Sequence, residues 1–333
     1  MTEKIRHLLM KKLGVKPKVR ILNLYENEIG FSNDIAMFNL KFELKGKSFN
    51  KEVVFKDYSK EYKGNDSLTK FNKEVSIFNS EYIRGSINMP RVYFEDEEAK
   101  TIIMDKISGA SLDEIYIKNP EKFEYSIKAF GNTLASIHFL DIEHIQQDVL
   151  ISNKSSKEHF YEYIKSIRKR IECYEEPQYM RILEGIIERF KSVEFGNQCL
   201  NHGDFHFLNV IYTDEEKLFV LDWEKAKITD FRFDLANTLV LCYSWFGIDF
   251  KSIFLEAYEN TSGLTIHQLE YFEALLSFDS LSKCLSLVHG YDDSHVRDKS
   301  FMWIKRRYEL FVQKNGIRID KVEKYLQNKG VFL

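Results

Sequence analysis

The chain has 333 residues, enough for one large domain or two ordinary ones, and a globular unit of that size buries roughly 75% of the surface its unfolded chain exposes. With 44% hydrophobic and 30% charged residues and few glycines and prolines, the composition is that of a helix-rich globular protein and excludes a disordered chain. The net charge of −3, from 48 basic and 51 acidic residues, supplies no overall field that would draw nucleic acid or an anionic membrane, so binding is expected to be local.

Cys173, Cys199, Cys242 and Cys284 stand far apart, with no C-x-x-C pair and no histidine placed to complete a zinc site, which reads as reduced thiols. No run of 18 apolar residues occurs and the N-terminus lacks an apolar core, so neither a signal peptide nor a membrane span is expected, and a cytoplasmic location follows.

Residues 36–58 alternate apolar and polar on either side of Gly46, the pattern of an antiparallel hairpin. Leu68, Phe71, Val75 and Phe78 recur at helical spacing. After Pro90, the runs RVYFE and TIIMDKI read as two strands around an acidic turn at 96–98, and SGASLDE as a loop of small, turn-forming residues. Helical stripes then dominate: Phe123, Ile127, Phe130, Leu134 and Ile137; Phe160, Ile164, Ile167 and Ile171; Ile182, Leu183, Ile186 and Phe190. A second hairpin, NVIYT and LFVLD around Asp214 to Glu216, interrupts them before helical patterns resume near Phe233. Up to residue 104 there are 19 basic and 15 acidic side chains, and beyond it 29 and 36. That asymmetry suits anionic phosphates on the first part and a cationic acceptor on the second, although solvated surface charge explains it as well.

The chemistry concentrates at His202-Gly203-Asp204-Phe205-His206-Phe207-Leu208-Asn209 and, across the second hairpin, at Asp222-Trp223-Glu224. Phosphoryl transfer needs the metal, the triphosphate and the attacking oxygen held in line more than it needs covalent help from the protein. A carboxylate on the loop before a hairpin can accept the proton of the attacking hydroxyl, a role that suits Asp204. Mg²⁺ is a hard cation that takes oxygen ligands, and the Asn209 amide and Asp222 carboxylate, brought together by two strands, can supply them. Taken singly, Gly203-Asp204 could be a plain turn, Asn209 an amide at the start of a strand, and Asp222 the cap of a following helix. Jointly, the eight-residue motif, the hairpin and the D-W-E at that separation are hard to obtain by chance.

The pattern HGDxHxxN followed by D-W-E resembles the aminoglycoside phosphotransferase and choline kinase family, relatives of the protein kinases, whose H-R-D-x-x-x-x-N and D-F-G stand at analogous places. The resemblance implies an α+β, two-lobed protein-kinase-like fold. Its small antiparallel-sheet lobe would span residues 1–104, a hinge 105–110, and a large, mainly helical lobe 111–333. It further implies that Lys56 and Glu74 pair to hold the donor phosphates, that Ser32 in the Gly30 to Asn33 segment lies over those phosphates, and that backbone groups of Asp105 to Ile107 meet the base. Asp234, in D-L-A, is expected to be structural, as are His202 and His206. The implied activity is transfer of the γ-phosphoryl group of ATP or GTP, with Mg²⁺, to a hydroxyl of a small acceptor: aminoglycoside-like, choline-like or a sugar. Tyr243, Trp245, Tyr291, Trp303, Asp292 and Asp293 are candidate acceptor contacts. A non-catalytic nucleotide-binding relative and a protein kinase are the alternatives, the latter disfavoured by the lack of A-P-E and of an activation-loop insertion after Asp222.

Overall fold

The computed structural model describes residues 2–13, 20–27, 34–44, 47–59, 66–145, 154–196, 198–291 and 300–331. Ser32 with its neighbours from Gly30 to Asn33, and Asp292 and Asp293, lie outside the described residues.

In chain order, helix α1 (Thr2–Leu13) precedes strands β1 (Arg20–Asn27), β2 (Asp34–Leu44) and β3 (Lys47–Asp57), helices α2 (Ser67–Asn79) and α3 (Glu81–Ser86), and strands β4 (Val92–Asp96), β5 (Thr101–Asp105) and β6 (Ala110–Ser111). Helices α4 (Leu112–Lys118), α5 (Pro120–His138), α6 (Ser156–Ile171) and α7 (Pro177–Phe190) follow, then β7 (Gln198–Asn201), β8 (Val210–Tyr212), β9 (Leu218–Val220) and β10 (Lys227–Asp230). Last come α8 (Phe231–Phe246), α9 (Lys251–Ser262), α10 (Leu269–Ser282), α11 (Leu285–Val288), α12 (Ser300–Asn315) and α13 (Asp320–Asn328). The class is α+β, an antiparallel sheet in the N-terminal region and helices in the C-terminal region, as the sequence leads one to expect.

The chain divides into two compact units, one of Met1–Glu114, Leu140–Ile151 and Leu208–Ala226, the other of Ile115–Phe139, Ser152–Phe207 and Lys227–Leu333. The first unit thus takes in the β8–β9 hairpin and the D-W-E segment along with the N-terminal sheet.

In the first unit the sheet has the order β1-β2-β3-β5-β4. Ala36, Phe38, Leu40 and Phe42 on β2 and Val53 and Phe55 on β3 point to one face, where Ile5, Leu8 and Leu9 of α1 cover them. The spacing of those three, at i, i+3 and i+4, is what gives α1 an apolar stripe. Helix α2 starts at a cap, the Asp66 carboxylate accepting from the Leu68 and Thr69 amides, and buries Phe71, Glu74, Ile77 and Phe78. Leu68, expected on that stripe, is exposed instead. The loop of small residues at 108–111 contains β6, which pairs with β8, itself paired with β9, in a three-stranded sheet. Gly109 permits that approach, since a Cβ there would lie 2.5 Å from the Tyr212 carbonyl oxygen.

The second unit is a helical assembly around α8 and α10, whose sides are buried almost all round, with the short β7–β10 ladder inserted. All three expected helical stripes form, as α5, α6 and α7. Among the described residues, no helix is long and apolar enough to cross a membrane.

Candidate active site

Strand β3 serves two faces with consecutive residues. Asp57 follows Phe55 onto the α1 face, where it accepts from Lys4 Nζ at 2.5 Å. Lys56 and Tyr58 point the opposite way. The Lys56 ammonium donates to Glu74 Oε2 and to Asp222 Oδ1, both at 2.6 Å, and the Tyr58 hydroxyl donates to the same Glu74 oxygen at 2.6 Å. The side chains of Lys56, Glu74 and Asp222 are 4%, 0% and 30% exposed. Lys56 and Glu74, expected as a pair, are brought with Asp222, expected as a metal ligand, into one charge cluster.

Burial opposes the charge of Lys56, but the carboxylates of Asp222, Glu74 and Glu224 outweigh it and hold its pKa above the ordinary lysine value. Burial pushes the Glu74 carboxyl up to about 7, against the pull of Lys56 and Tyr58. The two shifts are consistent because one ammonium is shared between two carboxylates, and the more deeply buried of them bears the larger desolvation. Glu74 Oε1 has no hydrogen-bond partner among the described residues.

Asp222 follows β9, and the Leu221 amide donates to the Asn209 carbonyl at 2.9 Å, tying the two expected metal ligands together through the backbone. Asp222 caps no helix, because the residues after the turn form β10. Its φ is +60°, a left-handed conformation that Asp tolerates better than most non-glycine residues but at some strain. Two residues on, the buried Glu224 carboxylate accepts from Lys70 of α2 at 3.1 Å. Oxygen atoms of Glu74, Asp222 and Glu224 lie within 4.8 Å of one another. Lys56 and Lys70 already bond to this set, and Asp222, at 30% the most exposed of the three, is the carboxylate most open to a hard divalent cation such as Mg²⁺. The sequence reading did not single out Glu224. Its two-residue spacing from Asp222 was the available signal.

At the expected hinge, the Asp105 and Lys106 amides donate within the sheet, to Arg91 O at 2.9 Å and Glu52 O at 3.3 Å. The Ile107 amide makes no backbone hydrogen bond with the described residues.

In the second unit, the loop after β7 alternates. Phe205 and Phe207 are fully buried, Phe205 stacked on Phe130 at 4.3 Å and Phe207 packed against Phe250 at 5.0 Å, whereas Asp204 and His206 keep their side chains 14% exposed. Gly203, at φ +79°, makes the turn that starts this alternation. Asp234 of α8 accepts from the His202 amide at 2.6 Å and the Gly203 amide at 2.8 Å, and the Asp204 amide donates to His202 Nδ1 at 3.2 Å. His138 of α5, which the sequence reading passed over, bridges Tyr258 Oη at 2.8 Å and Asp234 Oδ2 at 3.3 Å. Burial opposes the Asp234 charge, but the His138 and His202 rings and the Gly203 amide together hold its pKa below the ordinary value. Helix α8 is capped by Asp230, so Asp234 is released from capping to hold the loop.

His206 Nε2 lies 3.8 Å from Asp204 Oδ2, and its ring stacks on Trp245 at 5.9 Å, which stacks on Trp303 at 5.5 Å. A ladder of flat rings thus leads away from the Asp204 carboxylate. Tyr243 lines a separate cavity of about 470 Å³ with Glu273, Lys251 and Lys314, and Tyr291 is exposed beside Tyr174 and His289.

The sequence profile of the phosphotransferase enzyme family matches residues 38–272. A search of curated proteins by sequence finds no match. Among solved structures, a Ralstonia eutropha protein of aminoglycoside phosphotransferase type is 15% identical, with 97% of this chain and 98% of that one covered at a TM-score of 0.65. The choline kinase LicA from Streptococcus pneumoniae is 17% identical, with 95% and 99% covered at 0.64. A thermostable mutant of an aminoglycoside phosphotransferase, solved as a ternary complex with ADP and hygromycin B, is 14% identical, with 99% and 100% covered at 0.56. The match over most of the chain, together with a fold shared over nearly all of it, establishes that the protein belongs to the phosphotransferase enzyme family and has the protein-kinase-like fold.

Proposed function

We propose that the protein transfers the γ-phosphoryl group of ATP or GTP to a hydroxyl of a small cationic acceptor, with Asp204 as base, Lys56 and Glu74 on the donor phosphates, and Asn209 and Asp222 as the ligands of Mg²⁺. The observation that carries this reading is the Lys56 ammonium, buried and 2.6 Å from both Glu74 and Asp222, a fixed positive charge of the kind that neutralises phosphate oxygens without reorganising. The Ile107 amide and the backbone from Asp105 suit an adenine or guanine edge, and Ser32 suits the phosphate cover. Bound Mg²⁺ supplies charge neutralisation on the transferring phosphate.

The acceptor oxygen forms a bond to the γ-phosphorus as the bond to the β–γ bridging oxygen breaks, and the hydroxyl proton passes to Asp204. Asp234 and His202, bonded to the loop amides, hold that carboxylate in place. A cationic acceptor is favoured because the Asp204 carboxylate adjoins the His206–Trp245–Trp303 rings, whose faces attract positive charge. Aminoglycoside-like and choline-like amino alcohols meet that description better than neutral sugars. The short connection from Asp222 to α8 leaves no room for the activation segment of a protein kinase.

Asp204→Asn tests the base. Turnover should fall by ~10²-fold or more while nucleotide affinity is retained. Unchanged acceptor-dependent turnover would refute the assignment.

A further inference from the structure

Lys70 and Glu74 stand four residues apart on α2 and share one face of the helix. Asp222 and Glu224 stand two apart on the segment after β9. Glu74 is joined to Asp222 through the Lys56 ammonium, whereas Lys70 meets Glu224 directly, Nζ to Oε1 at 3.1 Å. Helix and segment are therefore tied at two points. One tie alone is a pivot, and the second removes the rotation about it.

The charges also alternate. Oxygens of Glu74, Asp222 and Glu224 lie within 4.8 Å of one another; Lys56 bonds to the first two and also attracts Glu224, and Lys70 bonds to Glu224. The Glu224 side chain is 1% exposed, so solvent does little to offset repulsion from its two neighbours, and a cation beside it is what makes its position tenable. Lys70 itself is 18% exposed and contributes its charge without a large desolvation cost.

We propose that Lys70 and Glu224 are positioning residues, a second ion pair that keeps α2 in register with Asp222 and so fixes the Lys56 ammonium where the donor phosphates meet it. This rests on the kinase reading for its consequence, but the clamp can be tested without it. The variants are Lys70→Met, Glu224→Gln, the two combined, and Lys70→Arg. In urea unfolding of the nucleotide-free protein, Lys70→Met and Glu224→Gln are each less stable than wild type, and the double variant loses less than the sum of the two single losses. In steady-state kinetics, Lys70→Met raises the nucleotide KM about tenfold with kcat little changed, the double variant recovers most of that loss, and Lys70→Arg behaves like wild type.

Additive effects of the two substitutions on unfolding would overturn the clamp. So would a Lys70→Met protein whose nucleotide KM equals that of wild type. If Glu224→Gln raised the Mg²⁺ requirement equally with Lys or Met at position 70, Glu224 would be a metal ligand and not a positioning residue. A wild-type protein that bound no Mg²⁺–nucleotide would defeat the kinase reading, and the unfolding cycle would then decide the clamp by itself.

Discussion

Replacing Lys56 by Met should destabilise the protein before any substrate is considered. The ammonium is 4% exposed and bonded at 2.6 Å to two carboxylates, of which Glu74 is fully buried and Asp222 is 30% exposed. Removing one partner of a buried ion pair typically costs about 3–5 kcal/mol, because the remaining charge stays buried without compensation. Asp222 can recruit water and Tyr58 still donates to Glu74, so the lower end applies, about 3 kcal/mol. For a domain of this size that is a fall in Tm of roughly 6–12 °C. Glu74, whose pKa is already up to about 7, can take up a proton once Lys56 is gone, so Glu74→Gln in the same background should restore part of the loss above pH 7 and little below it. Trp223 is buried in the same unit, whereas Trp245 and Trp303 lie in the other, so urea unfolding followed by fluorescence in a Trp245→Phe, Trp303→Phe background reports on the first unit alone. A Lys56→Met protein within about 0.5 kcal/mol of its parent, the scatter of ordinary surface substitutions, would mean that Lys56 does not neutralise the Glu74 and Asp222 carboxylates.

Asp222→Ala should abolish the Mg²⁺ dependence of nucleotide binding, and calorimetric titration with and without Mg²⁺ checks it; a dependence equal to wild type would remove Asp222 from the metal. Asp234, whose folded pKa is held below its unfolded value, contributes stability that is present above the unfolded carboxylate pKa and lost as pH falls through the folded one. Asp234→Asn should therefore flatten the decline of Tm at acid pH, and an unaltered acid limb would count against its role. If the acceptor is cationic, its KM should rise with ionic strength at constant kcat, because attraction between partly exposed charges is screened within about 8 Å at physiological salt. An acceptor screen that found only neutral or anionic hydroxyl compounds phosphorylated would show the charge argument wrong.

The parts of this protein most legible in its sequence are those where a local pattern coincides with a local structure. The hairpin of β2 and β3 alternates with period two, α5 to α7 carry unbroken stripes, and the alternation of Asp204, Phe205, His206 and Phe207 is that of a loop pinned by its apolar residues and read out by its polar ones. Strand β1 escaped notice because its register shifts between Leu22 and Tyr25, which leaves both exposed and breaks the period. Strands β7 and β10 are four residues each and were masked by the motifs beside them. In the site, Asp222 was legible as a chemical group but not in its left-handed backbone, and nothing local announces that Glu224 reaches Lys70 across 154 positions. Partnerships of that kind belong to tertiary structure.

The two-faced character of β3 makes the protein sensitive to an error of reading frame in space. Lys56 lies opposite Ile35 and Ile102, while Asp57 lies opposite Asp34 and Thr101. A slip of one residue along either neighbour would exchange the two faces, presenting a carboxylate toward Glu74 and an ammonium toward the apolar cover of α1. The sheet hydrogen bonds could survive such a slip, but the cluster would then gather carboxylates with no ammonium between them. The Lys4–Asp57 pair, on the opposite face of β3 from Lys56, is stable in only one of the two frames. It acts as a check on assembly: α1 docks with its charge satisfied only when Lys56 already points the right way.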